Sequence, residues 1–342
     1  MNDSTRDVAI PPQGVMMRLL FGKQLTASLA ALARLGLADH MGEEAVPVED
    51  LASKVGAHAP SLYRVMRMLA SLGVFREEKG KRFALTPVGR VLQTDAPGSM
   101  RYTAMMLGDD WALQAYTRIA DSIRTGGDAF TAAFGKQIFE WFADRPEKAE
   151  TFQRAMTNGS AIASQSILSA YDFAGIKRIA DLGGGHGILL ASILNRYPAM
   201  QGVLFDLPEV VAGIPAARLA ECGGRLEVEA GSFFERVPQG CDAYMMKHIL
   251  HDWSDDHCRT ILRLVREQLP REGRVLVYEL VLSDDPGPSP AKMLDIEMLV
   301  MTVGGRERTP EEFADLLGSA GLKLERIVTT PTPICVLEGR PV

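Results

Sequence analysis

Apolar residues between Val15 and Leu37 recur at three- to five-residue steps (Leu19, Leu20, Leu25, Leu29, Leu32, Leu35), which predicts a helix with one apolar stripe. Such a stripe near a terminus makes core or a subunit interface. From Pro47 to Leu92 the pattern reads helix, turn, helix, hairpin. Val48–Ala52 opens a short helix, and Ala57–Ser61 breaks it. Ser61 is the expected N-cap of a second helix running to Leu72, with Leu62, Val65, Met66, Leu69 and Leu72 on one face. Gly73–Phe75 then leads through Lys79-Gly80-Lys81 into Phe83–Thr86, a winged-helix pattern. Met100 to Ala170 reads as helix throughout and is rich in Phe, Trp and Met. From Lys177 the period alternates between 2 and 3.6. Strands are predicted at Arg178–Leu182, Gly202–Asp206, Leu226–Ala230, Ala243–Lys247 and Arg274–Leu280, and a last pair at Leu322–Thr329 and Ile334–Gly339 flanks a Pro-rich turn. The fold class is α/β, a doubly wound parallel sheet closed by an antiparallel hairpin and preceded by a mostly helical domain. Three segments follow: 1–100, 101–170 as a helical linker, and 171–342.

Length agrees, since 342 residues exceed one compact core. Hydrophobic residues at 46% and charged residues at 23% are ordinary for a globular protein. A net charge of −6 argues against nucleic acid or an anionic membrane as the main partner. The winged-helix segment 47–100 carries eight Lys/Arg against five Asp/Glu, a bias of only +3, and its second helix exposes just Arg64 and Arg67. A DNA-binding regulator is therefore the weaker reading of that segment. The four cysteines form no C-x-x-C pair, which fits a reducing cytoplasm. Met1–Pro12 is polar, so no secretory signal is expected, and no apolar run is long enough for a membrane span.

The most specific chemistry sits at Asp181-Leu182-Gly183-Gly184-Gly185-His186-Gly187, between a strand and a helix. Glycines let a ligand approach the backbone, and the helix end offers free N–H groups. The spacing is G-x-G-x-G rather than the G-x-G-x-x-G of dinucleotide folds, with Asp181 in front. A carboxylate there repels a pyrophosphate but can receive the amino group of a methionine moiety, which favours S-adenosylmethionine over NAD. Asp206, ending the next strand in Phe205-Asp206-Leu207-Pro208, stands where a carboxylate grips ribose hydroxyls.

Lys247-His248-Ile249-Leu250-His251-Asp252-Trp253 follows the fourth strand, at the carboxyl end where such sheets bind ligands. His251 is the candidate base, with Glu279 and Glu307 the carboxylates placed to orient it. Two plainer readings compete. His251 and Asp252 could cap the helix beginning near Ser254, or His248, His251, Asp252, Asp255 and His257 could ligate a metal, although their spacing matches no tight ligand set.

These motifs, together with Gly304-Gly305-Arg306-Glu307-Arg308-Thr309, resemble the S-adenosylmethionine-dependent O-methyltransferases of the plant caffeate and flavonoid and bacterial polyketide type. The resemblance spans nearly the whole chain. It implies a Rossmann-like methyltransferase domain after an N-terminal domain that forms a homodimer, with no metal required. It makes His251 the general base, flanked by Glu279 and Glu307. It assigns Gly183, Asp206, Phe233 and Lys247 to the cofactor, beside Asp181, Gly185, Leu207 and Ser232, and leaves S-adenosylhomocysteine as product. A small hydroxylated aromatic or polyketide-like metabolite, of the kind made in secondary metabolism, is the expected acceptor, lined by Met156, Asp252, Met298, Met301 and Thr302. One departure stands out. The family's Gly-Asp after the third strand is here Gly231-Ser232, which removes the carboxylate that receives the adenine amino group. A relative that binds the cofactor for hydroxylation, decarboxylation or pericyclic chemistry is the alternative, and the intact His251, Glu279 and Glu307 speak against it.

Overall fold

The computed structural model describes residues 11–342, so most of the segment read for a signal lies outside the described residues. The chain forms two compact units, one ending at Leu113 and the other beginning at Gln114.

In the first unit the long N-terminal stripe is divided. Helix α1 (Pro12–Leu20) ends at Phe21, and α2 (Gly22–Arg34) follows at once. Only the second half of the stripe is core. Ala30, Leu32 and Ala33 are buried, while Met16, Leu19, Leu20 and Phe21 stand exposed, Leu19 at 70%. The winged-helix pattern is present as α3 (Val48–Val55), α4 (Ala59–Ala70) and a hairpin of β2 (Phe75–Glu78) and β3 (Arg82–Leu85). A short strand β1 (Val46–Pro47) pairs with β3, an addition the pattern did not signal. Two expectations for α4 need correction. Ser61 is not its N-cap: the helix starts two residues earlier, because Pro60 suits a first turn whose N–H groups need no partner. Leu72 falls beyond the helix end and is exposed. Leu62, Met66 and Leu69 do point into a core with Leu51, Phe75 and Phe83.

The second unit begins with short helices, among them Ile119–Thr125, Ala129–Phe134 and Ile138–Ala143, and continues into α5 (Pro146–Ala170). Phe130, Trp141, Phe142 and Phe152 pack ring against ring between them. Seven strands follow: β4 (Arg178–Leu182), β5 (Gln201–Asp206), β6 (Leu226–Ala230), β7 (Ala243–Lys247), β8 (Arg274–Leu280), β9 (Leu322–Thr329) and β10 (Ile334–Pro341). Their order is β6-β5-β4-β7-β8-β10-β9, the first five parallel and β10 antiparallel to both β8 and β9. Both faces of the sheet are covered, which is why the central strands read as continuous apolar runs. On one side lie α7 (Asp255–Gln268) and α9 (Pro310–Ser319), contributing Ile261, Leu262, Val265, Phe313 and Leu317. On the other lie α5 and α6 (Ile188–Arg196), with Ile167, Leu190, Ile193 and Leu194. Each of these side chains contributes about 1.5–3 kcal/mol by burial. The remaining long helix, α8 (Pro290–Met301), packs against Ile119–Thr125 and Ala129–Phe134.

Strand order reverses between β4 and β7. Loops leaving the two strands there diverge to opposite faces and open a crevice at their carboxyl ends. Asp181 sits at that end of β4 and Lys247 at that end of β7.

Candidate active site

The glycine turn after β4 is wound by positive φ at Gly183, Gly185 and Gly187, and Gly187 opens α6. A methyl group on Gly183 would fall 2.5 Å from Ile249 Cδ1, so this turn and the one after β7 touch. At Gly185 the same methyl would meet nothing closer than Gln153 Oε1 at 4.0 Å, so the loop faces open space there. Asp206 Oδ2 accepts the Gly185 N–H at 2.7 Å, and Oδ1 accepts the Leu207 N–H at 2.7 Å. Phe233 lies over Gly183 and forms an edge contact with Phe234. Asp181 is buried, and that burial lifts its carboxyl to about 7 against the pull of the Lys247 ammonium. Burial in turn holds Lys247 below its ordinary value, with Asp181 acting against it. A cradle open at Gly185, a buried carboxylate at its mouth and a second carboxylate fixed by backbone N–H groups suit a nucleoside bearing an amino acid. Ser232 caps its own turn, accepting the Phe234 N–H at 3.3 Å.

The turn after β7 is held from three directions. Glu279, on the adjacent strand β8 and fully buried, accepts the backbone N–H groups of Ile249, Leu250 and His251 on one oxygen, at 3.1, 3.0 and 3.4 Å. Burial would raise this carboxyl, but the His251 charge, His248 and the backbone donors overrule it and hold it at about 2. Glu307 Oε1 stands 2.7 Å from His251 Nδ1. The Glu307 N–H donates to Asp295 Oδ1 of α8 at 2.9 Å, which fixes where its side chain starts. The other ring nitrogen, His251 Nε2, stands 3.7 Å from Asp252 Oδ1. Burial pushes the His251 pKa down, yet Glu279, Asp252 and Glu307 outweigh it and raise it to about 10. Asp252 itself is lifted by burial to about 6, with His251 acting against that rise.

Of the two plainer readings, capping is overturned. The N-cap of α7 is Ser254, which accepts the His257 N–H, so His251 and Asp252 are free of that task. The five-residue metal set does not assemble either. Asp255 is bound by Arg306 and Arg308, and His257 by Ser254. Among the described residues only His248 and His251, with Glu279, bring ligand atoms within 4.8 Å of one another, and His251 Nδ1 is already paired with Glu307.

Residues 116–323 match the O-methyltransferase domain family, and 17–95 match the O-methyltransferase dimerisation domain. The chain belongs to the S-adenosylmethionine-dependent O-methyltransferase family. It is 37% identical to the phenazine O-methyltransferase of Lysobacter antibioticus, over 100% of both chains. It is 36% identical to the O-demethylpuromycin-O-methyltransferase of Streptomyces alboniger, over 96% of this chain and 89% of that one. Among solved structures, the methyltransferase of calicheamicin biosynthesis, in its S-adenosylhomocysteine-bound form, superimposes with a TM-score of 0.85 at 34% identity, covering 96% of this chain and 97% of that one.

In this O-methyltransferase the remaining sequence candidates lie on two helices. Met298, Met301 and Thr302 form the closing turn of α8, all buried, with the Thr302 hydroxyl donating to the Met298 carbonyl at 2.8 Å. Met156 lies half-buried on α5. Two participants escaped sequence reading. Arg308, fully buried, donates to the carbonyls of Leu250 and Trp253 at 2.9 and 3.0 Å and to Asp255 at 2.8 Å, clamping the turn that carries His251. Asp295 supports Glu307 from α8. An arginine one residue after a candidate carboxylate was the available signal for the first, and nothing local marks the second. Among the described residues, no helix is long and apolar enough to cross a membrane.

Proposed function

We propose that His251 is the general base in transfer of a methyl group from S-adenosylmethionine to a hydroxyl of a small aromatic metabolite. The observation that carries this reading is the 2.7 Å pairing of His251 Nδ1 with Glu307, which fixes the ring and leaves Nε2, 3.7 Å from Asp252 Oδ1, as the nitrogen to exchange a proton with the acceptor. When bound, the cofactor supplies an electrophilic methyl on a cationic sulfur. Asp181 receives its amino group, Gly183 and Gly185 give it backbone room, and Asp206 with Leu207 takes the ribose. Ser232, Phe233 and Lys247 complete the set. Asp252, Met156, Met298, Met301 and Thr302 line the acceptor.

His251 Nε2 would take the hydroxyl proton as the methyl passes from sulfur to the acceptor oxygen, the S–C bond breaking to leave the neutral thioether of S-adenosylhomocysteine. The carboxylates around His251 raise its affinity for a proton toward that of a phenolate, which favours taking the acceptor's proton. Glu307 fixes the tautomer and stabilises the imidazolium, and Glu279 holds the backbone that positions the ring. Relatives named for phenazine and O-demethylpuromycin support an aromatic acceptor. The dimerisation match and the exposed apolar residues of α1 support a homodimer through the first unit. A cytoplasmic enzyme whose helices before residue 170 serve the pocket completes the reading.

The test is a transfer screen with labelled S-adenosylmethionine and a panel of phenols, with His251→Ala as control. Turnover that disappears in the variant while S-adenosylhomocysteine still binds is the expected result. Near-normal turnover in the variant rejects His251 as base.

A further inference from the structure

We propose that Glu297, together with Tyr116, reads the far edge of the acceptor and selects aromatics that carry an amine there; this rests on the acceptor site assigned above. Glu297 is on α8, whose last turn leads into Thr302 and Gly305. A methyl group on Gly305 would fall 2.5 Å from the His251 carbonyl, so the segment that follows α8 packs against the backbone carrying the base. Glu297 lies five residues back from Thr302, about 7.5 Å along the helix axis. That is close to the span from a reacting hydroxyl to the opposite edge of a two-ring aromatic. Leu294 and Met301, three residues before and four after, share its face and put apolar side chains beside it.

The carboxyl group is half-buried. Among the described residues no Lys, Arg or His pairs with it. Its one hydrogen bond is from the Tyr116 hydroxyl to Oε2, and Oε1 has no donor. Burial raises its pKa and Tyr116 lowers it, while the Tyr116 hydroxyl is itself pushed upward and stays a neutral donor. Oε1 is reachable from outside, so a ligand donor can take the place of water there. A nitrogen N–H donating to Oε1 makes a charge-assisted bond of the stronger kind. Tyr116 holds the carboxylate in one rotamer, so that donor meets a fixed acceptor.

The experiment is calorimetric binding of 1-naphthol and 5-amino-1-naphthol to the full chain saturated with S-adenosylhomocysteine. In the wild type the amino compound binds about tenfold tighter, the size of one charge-assisted hydrogen bond. In Glu297→Gln the two naphthols come within about twofold of each other, with S-adenosylhomocysteine affinity and melting temperature unchanged. Tyr116→Phe gives an intermediate ratio. An unchanged ratio in Glu297→Gln overturns the proposal and leaves Tyr116–Glu297 as a tie between helices. So does a wild type that binds neither naphthol or prefers 1-naphthol. Failure of the methyl-transfer reading shows separately, as loss of S-adenosylhomocysteine binding or absence of turnover on every phenol.

Discussion

The glycine turn at Asp181–Gly187 and the turn at Lys247–Trp253 leave neighbouring strands, and their atoms touch at Gly183 and Ile249. The first is shaped by omission: three residues at positive φ and backbone left open at Gly185. The second is shaped by excess. One carboxylate takes three backbone N–H groups, a second takes the imidazole, and a buried guanidinium takes two carbonyls. A surface that must admit a cofactor needs room beside its backbone, whereas a base that must keep one orientation needs its ring and the backbone that carries it held by hydrogen bonds. Function should therefore fail differently at the two places.

The largest effects separate them outright. His251→Ala should lower kcat by about a thousandfold or more, since loss of the base compounds with loss of positioning. Its S-adenosylhomocysteine affinity should stay within about twofold. Gly184→Ala should do the opposite. Its methyl would fall 2.6 Å from Asp181 Oδ2, and displacing that buried carboxylate should weaken S-adenosylhomocysteine by about tenfold or more, read by calorimetry. If both variants lose binding and turnover in parallel, the two turns form one unit and the contrast fails.

Within the second turn the two glutamates, which the sequence treated as equivalent flanks, divide the work. Glu307→Gln keeps the shape but removes the charge that helps raise His251, so the rising limb of kcat against pH should move to lower pH, with kcat reduced about 10- to 100-fold. Glu279→Gln should act first on the fold, costing about 1–3 kcal/mol in urea unfolding, because three backbone N–H groups, two of them in buried hydrogen bonds, lose an ionised acceptor. Equal stability losses in the two variants would erase the division.

The pH dependence of stability sharpens the same point. His251 is raised in the folded state, so its contribution is complete below its unfolded value near 6.5 and is lost as pH climbs toward about 10. Glu279 is lowered, so its contribution is present above its unfolded value near 4.3 and is lost as pH falls toward about 2. Urea midpoints should fall on both sides, and His251→Asn should flatten the alkaline side. Activity runs the other way on that side. It should rise from neutral to alkaline pH because one proton must leave the pair formed by His251 and the acceptor.

The contrast also explains what the sequence could reveal. Glycines at set spacing, the sheet alternation and Asp206 are local, and a strand followed by a glycine turn has few structural alternatives. His251, Glu279 and Glu307 were legible as a set because each follows a recognisable strand or motif. Their separate tasks were not, because Glu279 acts on backbone 28 to 30 residues away and Glu307 on a ring 56 residues away. Arg308 and Asp295 escaped for the same reason, since their partners come from segments that only the tertiary fold brings close. The break at Phe21 and the early start of α4 were missed because apolar periodicity runs through positions where the backbone turns.

The smallest expected effect tests the cradle at its one departure from the family. Ser232 accepts the Phe234 N–H through its hydroxyl, and its carbonyl accepts the N–H groups of Glu235 and Arg236. An aspartate can cap the same turn through one carboxylate oxygen, since Asp serves such positions as well as Ser does. That leaves the second oxygen to take the adenine amino group with a full charge. Against this stands Arg236, whose guanidinium already holds Glu229 and the Ala230 carbonyl and lies beside Gly231. It already has acceptors, so capturing the new carboxylate would mean giving one of them up, and adenine should win. Ser232→Asp should therefore tighten S-adenosylhomocysteine by about three- to tenfold, the difference between a neutral and a charge-assisted hydrogen bond. Unchanged or weaker affinity would mean that adenine is held by packing against Phe233 rather than by a polar contact at residue 232. The cradle would then depend on shape alone, an even sharper opposite to the His251 turn.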